Sequence, residues 1–229
     1  MRETGRFLIL FARSQATWLV IKMNIKNIIF DVGNVIVRWS PTEIVRNTFP
    51  NYEQHQQHYL VEKIFKSRIW INLNLGKISE EEAKLGYLSE LKEIDVQHLT
   101  ALFNYVKSTQ VLIPGTTDLI KSLHRNGYHL FALTDNIKEI IIYLKNKYDF
   151  WNYFTHATVS ADIGFMNPGK EIFNYALQRN NLIARETIFI DDHEPNTRAA
   201  SSLGLHTILF SDSVSCLQRL KNLGVAIND

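Results

Sequence analysis

Cysteine is nearly absent from this chain: among 229 residues only Cys216 carries a thiol, so no internal disulfide can form. No Cys-x-x-Cys or Cys/His spacing offers a zinc site, and the expected address is reducing and cytoplasmic. Charge of one sign is also lacking. Twenty-five Lys and Arg against 23 Asp and Glu leave a net charge of +2, without the basic footprint of a dedicated nucleic-acid binder. Long apolar runs are missing as well: near the N-terminus, Phe7 to Ala12 is cut by Arg13 after six residues. That is shorter than a signal-peptide core and far shorter than a membrane span, so no membrane partner is expected. The five prolines are scattered, and neither an internal repeat nor a low-complexity tract is visible.

What the chain does have is apolar material. A hydrophobic content of 45%, with 11% aromatic residues, suffices at this length to bury roughly 70–75% of the unfolded surface. One large domain, or one domain carrying an insertion, is expected. Residues 1–22 read as an N-terminal extension outside the core, with a packed N-terminal helix as the alternative. From Asn27 onward, short β-branched runs alternate with helical periodicity. The strand candidates are Ile28 to Val32, Tyr128 to Leu133, Ala157 to Ser160, Thr187 to Ile190 and His206 to Phe210. Helix candidates fall at Thr116 to Asn126, Lys138 to Lys147, Glu171 to Asn180, Asn196 to Leu203 and Val214 to Asn222. This βα alternation predicts an α/β fold: a Rossmann-like parallel sheet with helices on both faces. Residues 40–111 break the rhythm, with helical patterning, a Ser79-x-x-Glu82 capping box and no convincing strand. They are expected to form an inserted α-helical cap subdomain, leaving 23–39 and 112–229 as the core.

Ligands of an open parallel sheet bind beyond the carboxyl ends of its strands, and three apolar runs end there in polar groups. They are Asp31-Val32-Gly33-Asn34, Thr134-Asp135-Asn136 and Asp191-Asp192. One aspartate after a strand is commonly a helix cap or turn residue. Asp31, Asp191 and Asp192 together would crowd three carboxylates on one sheet edge, which costs free energy unless a hard cation such as Mg²⁺ lies among them.

In order, spacing and placement of the insertion, these motifs resemble the haloacid dehalogenase-like superfamily over about residues 24–222. Within it they are similar to phosphatases with a helical (C1-type) cap, including sugar-phosphate phosphatases whose first motif reads Asp-x-Gly-Asn-Val. The resemblance implies a Mg²⁺-dependent hydrolase of small phosphomonoesters, with Asp31 as nucleophile forming an aspartyl-phosphate. It implies Mg²⁺ held by Asp31, the Gly33 carbonyl and Asp192 with Asp191, and a phosphoryl oxygen bound by the Thr134 hydroxyl. Asn196 would orient the Asp191-Asp192 loop or simply cap the next helix. Asn34 and Asp135 are expected at the substrate, and His193 is the histidine nearest the site.

Two positions depart from the family pattern. A second aspartate usually stands two residues after the nucleophile, where this chain has Gly33; such general acid–base help is worth about 10²–10⁴-fold. The usual catalytic lysine aligns with Asn167, and Lys170, three residues on, is the candidate to return a cation, with an exposed first-turn lysine as the alternative. These departures keep alive a catalytically degenerate phosphate-binding or regulatory protein, and less strongly a dehalogenase. Gly164-x-x-x-x-Gly169-Lys170 also has the frame of a P-loop, but Glu171 replaces the hydroxyl that would meet Mg²⁺. Arg38 and Trp39 are expected at the mouth of the cleft, the first for an anion, the second for a sugar face, an apolar ring or the hinge. Trp70 is either a ligand contact or cap core, and His55 and His58 read as solvated. The expected partner is a small phosphorylated metabolite; its identity and the oligomeric state are left open.

Overall fold

The computed structural model describes residues 24–227, so the expectation for residues 1–22 lies outside the described residues. Five strands, β1 (Asn27–Phe30), β2 (His129–Thr134), β3 (His156–Val159), β4 (Thr187–Asp191) and β5 (His206–Leu209), form one parallel sheet in the order β3-β2-β1-β4-β5. Asn27 is in register with His129 on one side and with Thr187 on the other. All four residues of β1 and all five of β4 are buried, as strands covered on both faces require. Alternate side chains serve the two faces. Ile28, Phe30, Leu130, Ala132, Ile188 and Ile190 join the larger core, whereas Ile29, Phe131, Leu133 and Phe189 pack beneath the opposite layer.

The helices that follow cover those faces. On the first lie α6 (Thr116–Arg125), α7 (Lys138–Lys147) and α11 (Ser213–Asn222), through Ile120, Leu144 and Leu220. On the second lie α9 (Lys170–Arg179) and α10 (Glu194–Ser202), through Phe173 and Ala200. Between β1 and α6 the chain makes only helices: α1 (Pro41–Thr48), α2 (Gln54–Phe65), α3 (Arg68–Asn74), α4 (Glu80–Glu90) and α5 (Val96–Ser108). The Ser79 box opens α4, with the Ser79 N–H donating to Glu82 at 2.8 Å. None of the described helices is long and apolar enough to cross a membrane.

The two chains joining this helical cap to the sheet run side by side. Arg38 N–H donates to Val111 O at 2.8 Å and Ile113 N–H to Ile36 O at 2.9 Å. A further seam lies at α8 (Ser160–Ile163), where the Ser160 hydroxyl donates to the cap carbonyl of Asn74 at 2.7 Å and accepts the Asn136 N–H at 2.9 Å. Gly76 sits there at φ +65°, and a Cβ would collide with the Ala161 carbonyl, so both conformation and space require glycine.

Some boundaries differ from the sequence reading for local reasons. Strand β1 stops at Phe30 because Val32 O accepts both Ile36 and Val37 N–H, curling the chain around Asn34 at φ +52°. Asparagine tolerates that left-handed conformation. Helix α10 starts two residues before Asn196, since Pro195 suits a first turn.

Candidate active site

The sheet changes winding direction at β1, with β2 on one side and β4 on the other, and the loops leaving β1 and β4 diverge to open a crevice. Asp31 follows β1, its N–H still bonded to Ile190 O at 2.9 Å. Asp191 ends β4, and Asp192 follows it. One carboxylate oxygen of each lies within 4.8 Å of the others. Two full charges at that separation repel by about 3.5 kcal/mol at an effective dielectric near 20, so the cluster invites a proton or a cation.

Neighbouring groups fix these carboxylates. Asp191 is fully buried; one oxygen accepts the His193 N–H at 2.7 Å and the other the Asn196 Nδ2 at 3.0 Å. Burial nevertheless raises its pKa to about 6, those hydrogen bonds offsetting only part of the effect while the Asp192 charge adds to it. Burial, and then the charge of Asp191, push Asp31 well above the carboxylate range. Burial also raises Asp192, against a hydrogen bond from Asn34. The Asn34 Oδ1 accepts Trp39 N–H at 2.9 Å, and the side chain lines the cleft beside Asp192.

Thr134, 1% exposed at the end of β2, lines the same cleft. Asp135 follows; burial raises its pKa to about 7, although its carboxylate accepts the Asn167 N–H at 3.0 Å. The cleft has a volume of about 540 Å³ and includes Asp31, Gly33, Thr134, Asp135, Asn167 and Asp192 in its lining. His193 and Asn196 border it as well, their side chains 3.3 Å apart. Its other side is the cap. Trp39 and Trp70 stack with centroids 5.8 Å apart and planes 13° from parallel, and Phe65 meets both edge-on. Both tryptophans thus line the cleft while packing cap and hinge.

Two expected residues lie elsewhere. Arg38 is turned to Glu43 of α1, at 2.8 Å, and is not part of the cleft lining; an acid in the first turn of the adjoining helix holds it. Lys170 is the exposed first residue of α9 and also lies outside the lining. No Lys or Arg is among the described residues of the cleft wall, and the buried Asn167 Oδ1 has no hydrogen-bond partner there. The P-loop frame fails too, since α8 separates β3 from Gly164. His55 and His58 are exposed.

Sequence reasoning missed Phe65, Ile71, Asn74, Gln110 and Met166, all in the cleft wall, while Asn136, expected there with the second motif, lines it too.

A model of the haloacid dehalogenase-like hydrolases matches residues 28–210, and the chain belongs to that family. It is 24% identical over 200 residues to a sesquiterpene phosphatase of Aspergillus oryzae, an alignment spanning 86% of this chain and 96% of that protein. It is 28% identical over 195 residues to the D-ribitol-5-phosphate phosphatase of Bacteroides thetaiotaomicron, covering 80% and 90% of the two chains. Against mouse acyl-CoA dehydrogenase family member 10 the identity is 30% over 209 residues, but these are only 19% of that longer protein. Among solved structures, a Bacteroides thetaiotaomicron enzyme of the same family, in complex with magnesium and inorganic phosphate, superposes with a TM-score of 0.68. Its identity is 22%, over 82% of this chain and 95% of that one, a likeness of fold.

Proposed function

We propose that the chain is a Mg²⁺-dependent phosphomonoesterase acting on a small phosphorylated metabolite, with Asp31 as the nucleophile. The observation that carries this reading is the trio Asp31, Asp191 and Asp192, within 4.8 Å at the carboxyl edge of the sheet, opening on the cleft that Thr134 lines. The trio fits a hard divalent ion. Its donors are all oxygen, and burial and mutual repulsion disfavour three free carboxylates there. Asp31, the Gly33 carbonyl and Asp192 would hold the ion with Asp191 beside them. When bound, Mg²⁺ supplies positive charge that neutralises and aligns the phosphoryl oxygens. Family membership, two relatives named as phosphatases and the magnesium–phosphate complex of a similar fold support the reading.

In the first step the Asp31 carboxylate attacks phosphorus, the bond from phosphorus to the alcohol oxygen breaks, and the alcohol leaves as an alkoxide that takes its proton from solvent water. Water then hydrolyses the aspartyl-phosphate, releasing phosphate and restoring Asp31. The Thr134 hydroxyl and the N–H groups beside Asp31 donate to the phosphoryl oxygens as charge develops. Gly33 offers no proton to the leaving alcohol, so substrates with good leaving groups should turn over fastest.

The test is hydrolysis of p-nitrophenyl phosphate with and without Mg²⁺. Asp31→Asn is expected to lower the Mg²⁺-dependent rate by at least about 10³-fold; equal release from the two proteins would sink the enzyme reading. The cation-free cleft wall and Asn167 favour a second reading, a phosphate-binding protein with little turnover. There Asn167→Lys is the informative variant. A gain of about tenfold or more in kcat marks a site that lacks only its cation, whereas no gain removes Asn167 as the cause of slow turnover.

A further inference from the structure

The relatives named above act on alcohols as different as a sesquiterpenoid and a sugar alcohol, and the cleft itself distinguishes such classes. Resting on the phosphomonoesterase reading, we infer that the esterified alcohol is bulky and apolar, an aryl or prenyl-like group, and not a sugar or polyol. At about 540 Å³ the cleft is of the size that encloses a whole small ligand, well beyond a phosphoryl group. Its carboxylates are confined to the sheet edge. Facing them, the wall is apolar from both subdomains: Trp39, Phe65, Trp70 and Ile71 around the cap, and Met166 from the core. Ile71, 43% exposed, adds accessible apolar surface to this wall beside the rings.

Recognition of a polyol needs side-chain donors and acceptors free for its hydroxyls. In this wall three amides each give one atom to the fold, and the buried Asn167 Oδ1 stays open at the sheet edge, where the phosphoryl group would lie. Asn74 Nδ2 donates to Trp70 O at 2.9 Å, Gln110 Nε2 to Val106 O at 2.8 Å, and Asn136 Oδ1 accepts Ile137 N–H at 3.1 Å. Neither Arg nor Lys is available among the described lining residues to hold a ring hydroxyl or a second anion. Three aromatic rings locked edge-to-face and stacked form a rigid surface, so an apolar group gains buried area there without having to order it.

The experiment measures binding in a protein that cannot turn over, so its outcome is separate from that of the hydrolysis assay. Asp31→Asn, with Mg²⁺, is titrated calorimetrically with 1-naphthyl phosphate, geranyl phosphate and glucose 6-phosphate. Both apolar esters are expected to bind at least about tenfold more tightly than the sugar phosphate, the lower end of what a well-formed apolar pocket distinguishes. Glucose 6-phosphate binding as tightly or more tightly overturns the inference. Ile71→Asn, at an exposed position that tolerates change, is added to the same background. Narrowing of the gap by threefold or more supports the assignment, and an unchanged gap overturns the placement of the alcohol against this wall. Hydrolysis of p-nitrophenyl phosphate by the wild-type chain reports only on the enzyme reading.

Discussion

The two sides of the cleft are held by different forces. On the sheet side, directional hydrogen bonds set each polar group: Asp191 takes one from His193 and one from Asn196, and Asn34 joins Trp39 to Asp192. On the cap side, ring packing among Trp39, Phe65 and Trp70 does the same with no charge at all. Reaction at phosphorus demands fixed directions and fixed charge, which hydrogen bonds supply. Selection of an apolar group needs only area and shape. One side therefore tolerates almost no change, and the other can be re-tuned residue by residue.

The comparison breaks most readily at Asn196. Asn196→Ala removes the donor to one oxygen of Asp191, and Mg²⁺ affinity is expected to fall about 10–100-fold, the usual effect of losing a group that orients a metal ligand. Calorimetric titration with Mg²⁺ measures it, and an unchanged affinity would show that Asp191 is oriented without Asn196.

A smaller effect separates the two sides by pH. Asp191 and Asp135 have pKa values of about 6 and about 7, above the ordinary 3.8, so the folded protein holds these protons more tightly than the unfolded chain. Ionising them opposes folding. This part of the metal-free protein's stability is therefore highest below about pH 4 and is lost as pH rises through about 6 to 7. A cation favours the ionised forms, so the rise in Tm caused by Mg²⁺ is expected to be several degrees larger at pH 8 than at pH 5.5. Equal rises at both pH values would mean that the acidic side is not where Mg²⁺ binds. The smallest change belongs to a residue on neither side: Lys170→Ala should alter kcat/KM for p-nitrophenyl phosphate less than about twofold. A larger loss would bring the lysine back to the phosphoryl group.

Much of the fold was legible because a doubly covered parallel sheet imposes buried runs such as Ile28-Ile29-Phe30 and Ile188-Phe189-Ile190, each followed by a polar residue where the strand leaves the core. The Ser79 box announced α4 through a hydrogen bond made within four residues. Arg38 and Lys170 lie outside the cleft lining for a common reason. A long cation near a motif in sequence can be drawn off by its own local surroundings, Glu43 in one case and the exposed start of α9 in the other. Phe65, Ile71 and Met166 had no signal, since an apolar residue facing a cleft looks in sequence like one facing the core.

The sequence by itself determined the alternation of strands and helices, the place of the helical insertion and the acids at three strand ends, because each follows from local periodicity or from the end of a buried run. Only the tertiary structure decided that those acids meet within 4.8 Å and that an aromatic wall without cations among its described residues lines the same cleft. The acids join segments about 160 residues apart, and nothing in local propensity records which distant side chains a closed cap will bring together.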